Sequence, residues 1–157
     1  SYCRGIMTRS ITGKELHDYL VQGFGAYLLD YEEQSIVIDP QGIQRVCEYL
    51  RSSSELEFSF LNSITAVDYV EYFEVVYHIT SFSYNTKAVL KVRVYGRDEP
   101  TLPSVCSVWP GANFQEREIF DLMGLSFKGH PNLKRIMLWE GFPGHPLRRD
   151  FEDVVKY

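Results

Sequence analysis

The sequence predicts an α+β fold: a mixed sheet with helices on one face, then a further helix and an extended tail rich in Gly, Pro and aromatic residues. Two segments with helical periodicity alternate with strand-like segments in the order helix–two strands–helix–three strands. That order is typical of one sheet covered by helices. At 157 residues, the sequence is long enough for one domain with its own core. We expect an α+β domain over residues 1–124, including the last helix, and a docking tail over 125–157.

The first helix is predicted from its start signal. Thr12 and Glu15 have the spacing of a capping box, in which each side chain accepts a hydrogen bond from a free backbone amide. Gly23 and Gly25 are typical of a helix end. The apolar positions between these signals recur at helical spacing: Leu16, Tyr19, Leu20 and Phe24.

Two short strands, over 27–30 and 35–38, are predicted around an acidic turn. Asp39 and Pro40 then form a helix-start signal, an N-cap followed by proline. The helix that follows has an apolar face made of Ile43, Val46, Cys47 and Leu50. On that face, Cys47 is interpreted as a small core residue.

Strands dominate residues 57–96, and we predict three of them, over 58–61, 72–80 and 88–95. In the last one, Leu90, Val92 and Val94 alternate with charged residues, which indicates a strand with one buried face. His78 lies in the middle strand, where we expect a cross-strand role.

A last helix is predicted to end at Gly124, with Pro110 inside its region. Arg117 and Asp121 are spaced for an ion pair on the side opposite the apolar face. Beyond Gly124, the composition favours neither helix nor strand, and we expect this segment to lie on a surface of its own domain or of a partner. The predicted apolar face consists of Val108, Ala112, Gln115, Ile119, Leu122 and Met123.

The charge distribution argues for a protein partner. The net charge is −5, which disfavours nucleic acid, since phosphate binding requires a basic face. Residues 124–150 contain five basic and two acidic residues, a local net charge of +3, against −8 for the rest. A basic segment on an acidic body indicates docking to an acidic protein surface. No apolar run approaches the roughly 20 residues that span a bilayer, so we expect membrane contact only through a partner.

The cysteines exclude two kinds of metal centre. Cys3, Cys47 and Cys106 are scattered, and no CxxC pair is present. A zinc ribbon or a cysteine-ligated iron–sulfur cluster therefore cannot be built from this chain alone. We interpret the three cysteines as reduced thiols.

A catalytic metal or acid–base site is the enzymatic alternative. It would be gathered from the carboxylates and histidines near the last helix, which are chemically sufficient ligands for zinc or iron. The histidines lack HxxxH or HExxH spacing and are flanked by Gly and Pro. The residues of this hypothetical site are Glu116, Glu118, Asp121, His130, Glu140 and His145.

The stretch from about residue 103 to 151 resembles a known family, the thirty-kilodalton subunit of respiratory complex I. This is the C subunit of NADH–quinone oxidoreductase and the J subunit of the cyanobacterial and chloroplast enzyme. The motif that carries the resemblance is Glu116-Arg117-Glu118, Asp121-Leu122-Met123, His130, Lys134 and Ile136-Met137. Its flanks carry it too: Trp109-Pro110, Ala112-Asn113-Phe114 and the run Trp139 to Phe151.

The resemblance implies a non-catalytic scaffold subunit in the peripheral arm of a proton-translocating NADH (or ferredoxin)–quinone oxidoreductase. Such a subunit packs against the forty-nine-kilodalton quinone-site subunit and binds no cofactor itself; the iron–sulfur clusters, quinone and NADH or ferredoxin donor belong to the complex. It implies a peripheral location on the cytoplasmic face of the plasma membrane, or the thylakoid or mitochondrial equivalent.

The resemblance also implies structural and interface roles, rather than catalysis, for a set of residues in the motif and the tail. Related subunits occur in membrane-bound hydrogenases, so an equivalent role in such a complex is an open alternative, alongside a stand-alone metal-dependent enzyme. The expected interface residues are Glu116, Arg117, Glu118, Asp121, His130, Lys134, Arg135, Trp139, His145, Arg148 and Arg149.

Overall fold

The computed structural model describes residues 8–96, 98–131, 133 and 144–148. Within them, three α-helices and eight strands form a mixed α+β fold, as the sequence predicts. The helices are α1 (Gly13–Phe24), α2 (Ile43–Ser52) and α3 (Ala112–Met123). The strands are β1 (Arg9–Ser10), β2 (Leu28–Tyr31), β3 (Ile36–Ile38), β4 (Phe60–Asp68), β5 (Phe73–Ser81), β6 (Thr86–Val94), β7 (Thr101–Pro103) and β8 (Ser126–Lys128).

The main sheet has the strand order β2-β3-β6-β5-β4, with β1 also paired to β6. Both β1 and β3 run parallel to β6, whereas the β2–β3, β4–β5 and β5–β6 pairs are antiparallel. The long β4–β5–β6 meander supplies most of the sheet. In its register, Tyr77 lies opposite Leu90 and His78 lies opposite Val89, so the two faces alternate as the sequence predicts.

The inner face of the sheet forms the core with the helices. The capping box at the start of α1 is confirmed, because the Glu15 amide donates to the Thr12 hydroxyl and the Thr12 amide donates to the Glu15 carboxylate. The four predicted apolar residues of α2 are all buried. Asp39 accepts a hydrogen bond from the Gln41 amide, but it opens a 3₁₀ turn over Pro40–Gly42 that leads into α2.

Several boundaries differ from the sequence predictions. Short strands β1, β7 and β8 were not predicted, since two or three residues carry no readable periodicity. The region beyond Gly124 does contain a strand, β8, which runs parallel to β7. Helix α3 begins at Ala112, so Pro110 precedes it. The division into residues 1–124 and 125–157 stays a prediction.

The described residues contain no helix that is both long enough and apolar enough to cross a membrane.

Candidate functional site

Helix α3 carries the first part of the motif, residues 116–123, and a glycine flanks each of its ends. Gly111 precedes its first residue, and Gly124 follows its last with φ +78°, the left-handed conformation that closes many helices. The Gly124 amide donates to the Phe120 carbonyl oxygen at 3.0 Å. The helix packs on β4, where the amide of Ile64 donates to the Gln115 side chain at 2.5 Å. The motif side chains are therefore held on a helix fixed at both ends and at its middle.

Glu116 is fully buried, and its carboxylate holds the loop that precedes α3. One oxygen accepts a hydrogen bond from the Ser104 hydroxyl at 2.6 Å and from the Cys106 thiol at 3.2 Å. The other accepts from the Val105 amide at 2.9 Å. A buried carboxylate is tolerated only when hydrogen bonds replace its hydration, and here three neighbouring residues supply them.

The His130 side chain lies beside Glu116 and is also buried. Its Nε2 lies 3.1 Å from the Asn113 carbonyl oxygen and 4.0 Å from Glu116 Oε1. A carbonyl oxygen only accepts, so Nε2 carries the proton. The histidine thus links the turn after β8 to the first turn of α3.

Burial is the largest cause of the pKa shifts of Glu116 and Cys106. It raises the pKa of the Glu116 carboxyl, and the hydrogen bonds from Ser104 and Val105 offset only part of that effect. Burial likewise raises the pKa of the Cys106 thiol to about 11. Cys106 is therefore a protonated donor at neutral pH and not an activated nucleophile.

The other end of α3 is closed by residues that come much later in the chain. We call His145, Leu147 and Arg148 the C-terminal clasp. An α-helix leaves its last carbonyl groups without partners inside the helix, and positive charge is favourable at that end. The clasp supplies these partners: His145 Nδ1 to Asp121 O at 2.8 Å, the Leu147 amide to Leu122 O at 2.9 Å, and Arg148 Nε to Met123 O at 2.6 Å.

Gly124 makes the clasp possible. A Cβ at this position would lie 2.7 Å from His145 Cδ2 and 2.8 Å from a terminal nitrogen of Arg148. Arg148 also places its guanidinium carbon 5.1 Å from the centre of the Phe73 ring, a cation–π distance. Part of the segment beyond Gly124 therefore lies on its own domain, which is one of the two surfaces that we expected for it.

The predicted interface residues fall into three groups. Glu116 and Asp121 are completely buried, whereas Arg117 and Glu118 are half-buried. The prediction that Asp121 lies on a side of α3 away from the core is wrong, because that side is covered as well. His130, His145 and Arg148 contact the backbone at the two ends of α3. Lys134, Arg135, Trp139 and Arg149, as well as Glu140, lie outside the described residues.

The structure brings together a different set of candidate metal ligands from the set that the sequence predicts. His130 lies beside Glu116, whereas the printed contact of His145 is with the backbone carbonyl oxygen of Asp121, at the other end of the helix. The described residues that do cluster are Cys106, Glu116 and His130, whose candidate ligand atoms all lie within 4.8 Å of one another. The Cys106 thiol is protonated, Glu116 already accepts three hydrogen bonds, and His130 Nε2 carries a proton. This donor set is satisfied as it stands, and it does not fit a metal ion without breaking those contacts.

Sequence reasoning missed the partners of the motif. Ser104 and Cys106, which hold Glu116, precede it by more than two helical turns, and no local spacing connects them. Phe73 lies 75 positions before Arg148 and is found only through the sheet. Trp109, noted only as part of a flank, donates from Nε1 to the Phe58 carbonyl oxygen at 3.0 Å, joining the start of β4 to the start of α3.

The fold and these contacts define an α+β protein whose buried polar groups fix loops around one helix. A model of the family described as "Respiratory-chain NADH dehydrogenase, 30 Kd subunit" matches residues 36–155. The chain belongs to this family, and the resemblance drawn from its sequence is confirmed.

The sequences of individual relatives lead to the same family. The C subunit of NADH-quinone oxidoreductase from Roseiflexus sp. (strain RS-1) is 45% identical over 119 residues, which cover 74% of this chain and 68% of the relative. The same subunit from Roseobacter denitrificans is 43% identical, with coverage of 76% and 61%. The mitochondrial NADH-ubiquinone oxidoreductase 30.4 kDa subunit from Neurospora crassa is 41% identical, covering 76% of this chain and 43% of that relative.

A solved structure is similar over most of the chain. It belongs to the membrane-bound sulfane sulfur reductase, an archaeal respiratory membrane complex. The two chains are 26% identical with a TM-score of 0.71, and the match covers 90% of this chain and 86% of the other. The same fold is thus present in a respiratory complex with a different named activity.

Proposed function

We propose that the chain is a non-catalytic scaffold subunit in the peripheral arm of a proton-translocating NADH (or ferredoxin)–quinone oxidoreductase. It packs against the forty-nine-kilodalton quinone-site subunit on the cytoplasmic face of the plasma membrane, or its thylakoid or mitochondrial equivalent. It binds no cofactor; the iron–sulfur clusters, the quinone and the electron donor belong to its neighbours. Membership of the thirty-kilodalton subunit family supports this assignment.

The observation that carries the proposal is that the Glu116 carboxylate is hydrogen-bonded by residues of its own chain. Its carboxylate oxygens are occupied by donors from Ser104, Val105 and Cys106, and His130 is held by the Asn113 backbone. A general acid or base needs a proton-transfer partner within reach and access to substrate. A fully buried carboxylate occupied by its own loop provides rigidity, which is what a scaffold contributes to the spacing of its neighbours.

A partner surface is available around α3. Arg117 and Glu118 are half-buried, and apolar side chains are exposed near both ends of the helix, with Phe114 55% and Leu147 59% accessible. Arginine and aromatic side chains dominate the binding energy of protein interfaces. The local charge of +3 over residues 124–150 suits an acidic partner.

The test is to tag the chain in its native host, solubilise membranes gently and identify what co-purifies. Recovery of the forty-nine-kilodalton subunit with iron–sulfur and membrane subunits supports the proposal. Recovery of the chain alone from the soluble fraction contradicts it.

Two variants test the scaffold role itself. Arg117→Ala or Asp121→Ala should lower the amount of assembled complex, while any complex that forms turns over at nearly the normal rate. Lys14→Ala, at an exposed position of α1, is the matched control and should change neither. Normal assembly with abolished electron transfer would contradict a scaffold role.

A second candidate is the equivalent subunit of a membrane-bound hydrogenase-type complex. The similarity to a chain of the membrane-bound sulfane sulfur reductase supports this candidate, since it shows the same fold in a respiratory membrane complex with another named activity. The same purification separates the two candidates, because the donor module that accompanies the tagged chain identifies the electron source.

The third candidate is a stand-alone metal-dependent enzyme. The satisfied hydrogen bonds of Cys106, Glu116 and His130 disfavour it. Metal analysis of the purified chain decides the matter: the scaffold role predicts substoichiometric metal, and one tightly held equivalent would support the enzyme.

A further inference from the structure

The outer face of the sheet, opposite the helices, carries a broad groove. We define this face by the outward-pointing residues of β5 and β6, which include His78, Thr80, Lys87 and Val89. The groove has a volume of about 720 Å³ and opens to solvent. Its polar lining residues are Ser10, Gln34, Asn62, Ser63, His78, Thr80 and Lys87.

The charge of this groove differs from that of the chain. No Asp or Glu is found among the described residues that line it, although the chain carries a net charge of −5. His78 and Lys87 are both exposed. They are diagonal neighbours on adjacent strands, because His78 pairs with Val89 and Lys87 with Thr80. Such diagonal neighbours lie roughly 7 to 8 Å apart, close enough to face one extended segment.

Two other basic residues of β6, Lys91 and Arg93, form ion pairs with carboxylates, and Lys87 differs from them in this respect. Lys91 Nζ lies 2.9 Å from Glu32 and 3.9 Å from Glu74, and Arg93 Nε lies 3.3 Å from Glu74. Within the described part of the chain, Lys87 forms no ion pair, and His78 has no hydrogen-bond or ion-pair partner. The outer face therefore offers uncompensated positive charge at one end of the sheet.

Exposed aromatic side chains border the same end. Phe60 is 45% accessible and Phe82 69% accessible, and their ring centres lie 5.3 Å apart. Tyr84, in the same hairpin, is 49% accessible. Aromatic residues beside uncompensated charge have the composition of a protein interface. A small-molecule site would enclose most of its ligand, and this groove is too open for that.

We propose that the outer face around Lys87 and His78 docks an acidic, extended segment of a neighbouring subunit, separate from the surface around α3. One or more Asp or Glu side chains of that segment form an ion pair with Lys87 and accept a hydrogen bond from His78, and its apolar residues cover Phe60 and Phe82. The inference rests on the proposed function, since it requires the chain to belong to a multi-subunit complex.

The first test uses zero-length carbodiimide cross-linking of the purified, tagged complex, followed by mass spectrometry. A carbodiimide joins an amine to a carboxylate only when the two are in ion-pair contact. The expected result is an amide bond between Lys87 and an Asp or Glu of another subunit.

The second test measures acetylation of lysines in the intact complex. Lys87 should react about tenfold more slowly than Lys14, because a neighbouring subunit would cover Lys87, whereas the Lys14 side chain is 72% exposed and pairs with an exposed Asp18. Equal reactivity of the two lysines overturns the proposal. Protection of Lys87 without a cross-link to a protein carboxylate also overturns it, because the cover would then be lipid or another non-acidic surface.

Charge variants complete the design. Lys87→Arg keeps the charge and should preserve the amount of assembled complex while losing the cross-link. Lys87→Glu should reduce the complex about tenfold, whereas Lys14→Glu on α1 should not. Normal assembly of Lys87→Glu overturns the docking site. Failure of the tagged wild-type chain to co-purify with any subunit would instead overturn the proposed function, so the two failures are distinguishable.

Discussion

Arg148 donates a hydrogen bond from Nε to the carbonyl oxygen of Met123 at 2.6 Å, joining a residue near the C-terminus to the last residue of α3. The contact is charge-assisted and lies at the negative end of the helix dipole. Together with His145 and Leu147, it satisfies three consecutive carbonyl groups that the helix itself cannot pair. The positions of residues 145–148 are therefore coupled to the C-terminal end of α3.

Gly124→Ala should destabilise the protein strongly. The substitution puts a Cβ at φ +78° and within 2.8 Å of both His145 and Arg148, so it strains the backbone and displaces the clasp. We expect a loss of about 2 to 3 kcal/mol in the free energy of unfolding, measured by urea denaturation.

Gly129→Ala is the matched control for this effect. Gly129 also has positive φ, +87°, but a Cβ there would meet nothing within 4 Å. Gly129→Ala should lower the free energy of unfolding by about 1 kcal/mol, the contribution of backbone strain alone. Equal losses for the two variants would show that the clasp contributes nothing.

Arg148→Ala should lower the free energy of unfolding by about 1 to 3 kcal/mol, because it removes a charged donor from a helix end and a cation from the Phe73 ring. Arg45→Ala, at an exposed position on α2, is the control and should change stability by less than about 0.5 kcal/mol. Thermal unfolding of both variants measures the difference, and an Arg148 variant as stable as the control refutes the role of the clasp.

Glu116 should make stability depend on pH in a direction opposite to that of an ordinary paired carboxylate. Burial raises its pKa in the folded state above the usual 4.5, so the folded state binds more protons than the unfolded state above that pH. Its contribution is complete below about 4.5 and is lost as the pH rises through the folded-state pKa.

Glu116→Gln removes this titration and should flatten the decline in stability from pH 4.5 upward, although its NH2 group cannot accept a hydrogen bond, so the one donated by either Ser104 or Val105 is lost. Denaturation at a series of pH values measures the slope. An unchanged slope in the Glu116 variant would rule out its raised pKa as the cause.

Trp109→Phe should destabilise the protein by about 2 kcal/mol. The indole is 3% exposed and donates to the Phe58 carbonyl oxygen, so the shorter ring leaves a small cavity and an unpaired buried acceptor. Phe114→Leu, at a position 55% exposed, is the control and should be nearly neutral in the same denaturation experiment. If both variants unfold alike, the Trp109 hydrogen bond has no structural importance.

The helices and the long strands β5 and β6 were predictable from local pattern, whereas the strand predicted over 58–61 overlaps only the first two residues of β4 (Phe60–Asp68). Thr12 and Glu15 mark the start of α1, and the alternation of Leu90, Val92 and Val94 identifies the buried face of β6. Capping and periodicity are properties of neighbouring residues, so they can be read without knowing the fold. The short strands β1, β7 and β8 lack such a pattern, because their pairing depends on segments far away in the chain.

The candidate site, like the fold, was only partly predictable from the sequence. The motif on α3 was recognisable in the sequence, and it sufficed to identify the family to which the chain belongs. The burial of the motif was not recognisable in the sequence. Asp121 has the spacing of a surface ion pair, yet its side chain is fully buried. Whether a charged side chain meets solvent depends on which segments pack over it, and helical spacing carries no information about those segments.

Residue type and spacing along the chain thus determined the elements and the family, because both are encoded locally. Only the tertiary structure decided that Glu116 is held by Ser104 and Cys106, that Arg148 closes α3, and that Lys87 lies in a groove on the outer face of the sheet. Each of these arrangements depends on long-range packing, in which burial and the need to pair every buried polar group select the partners.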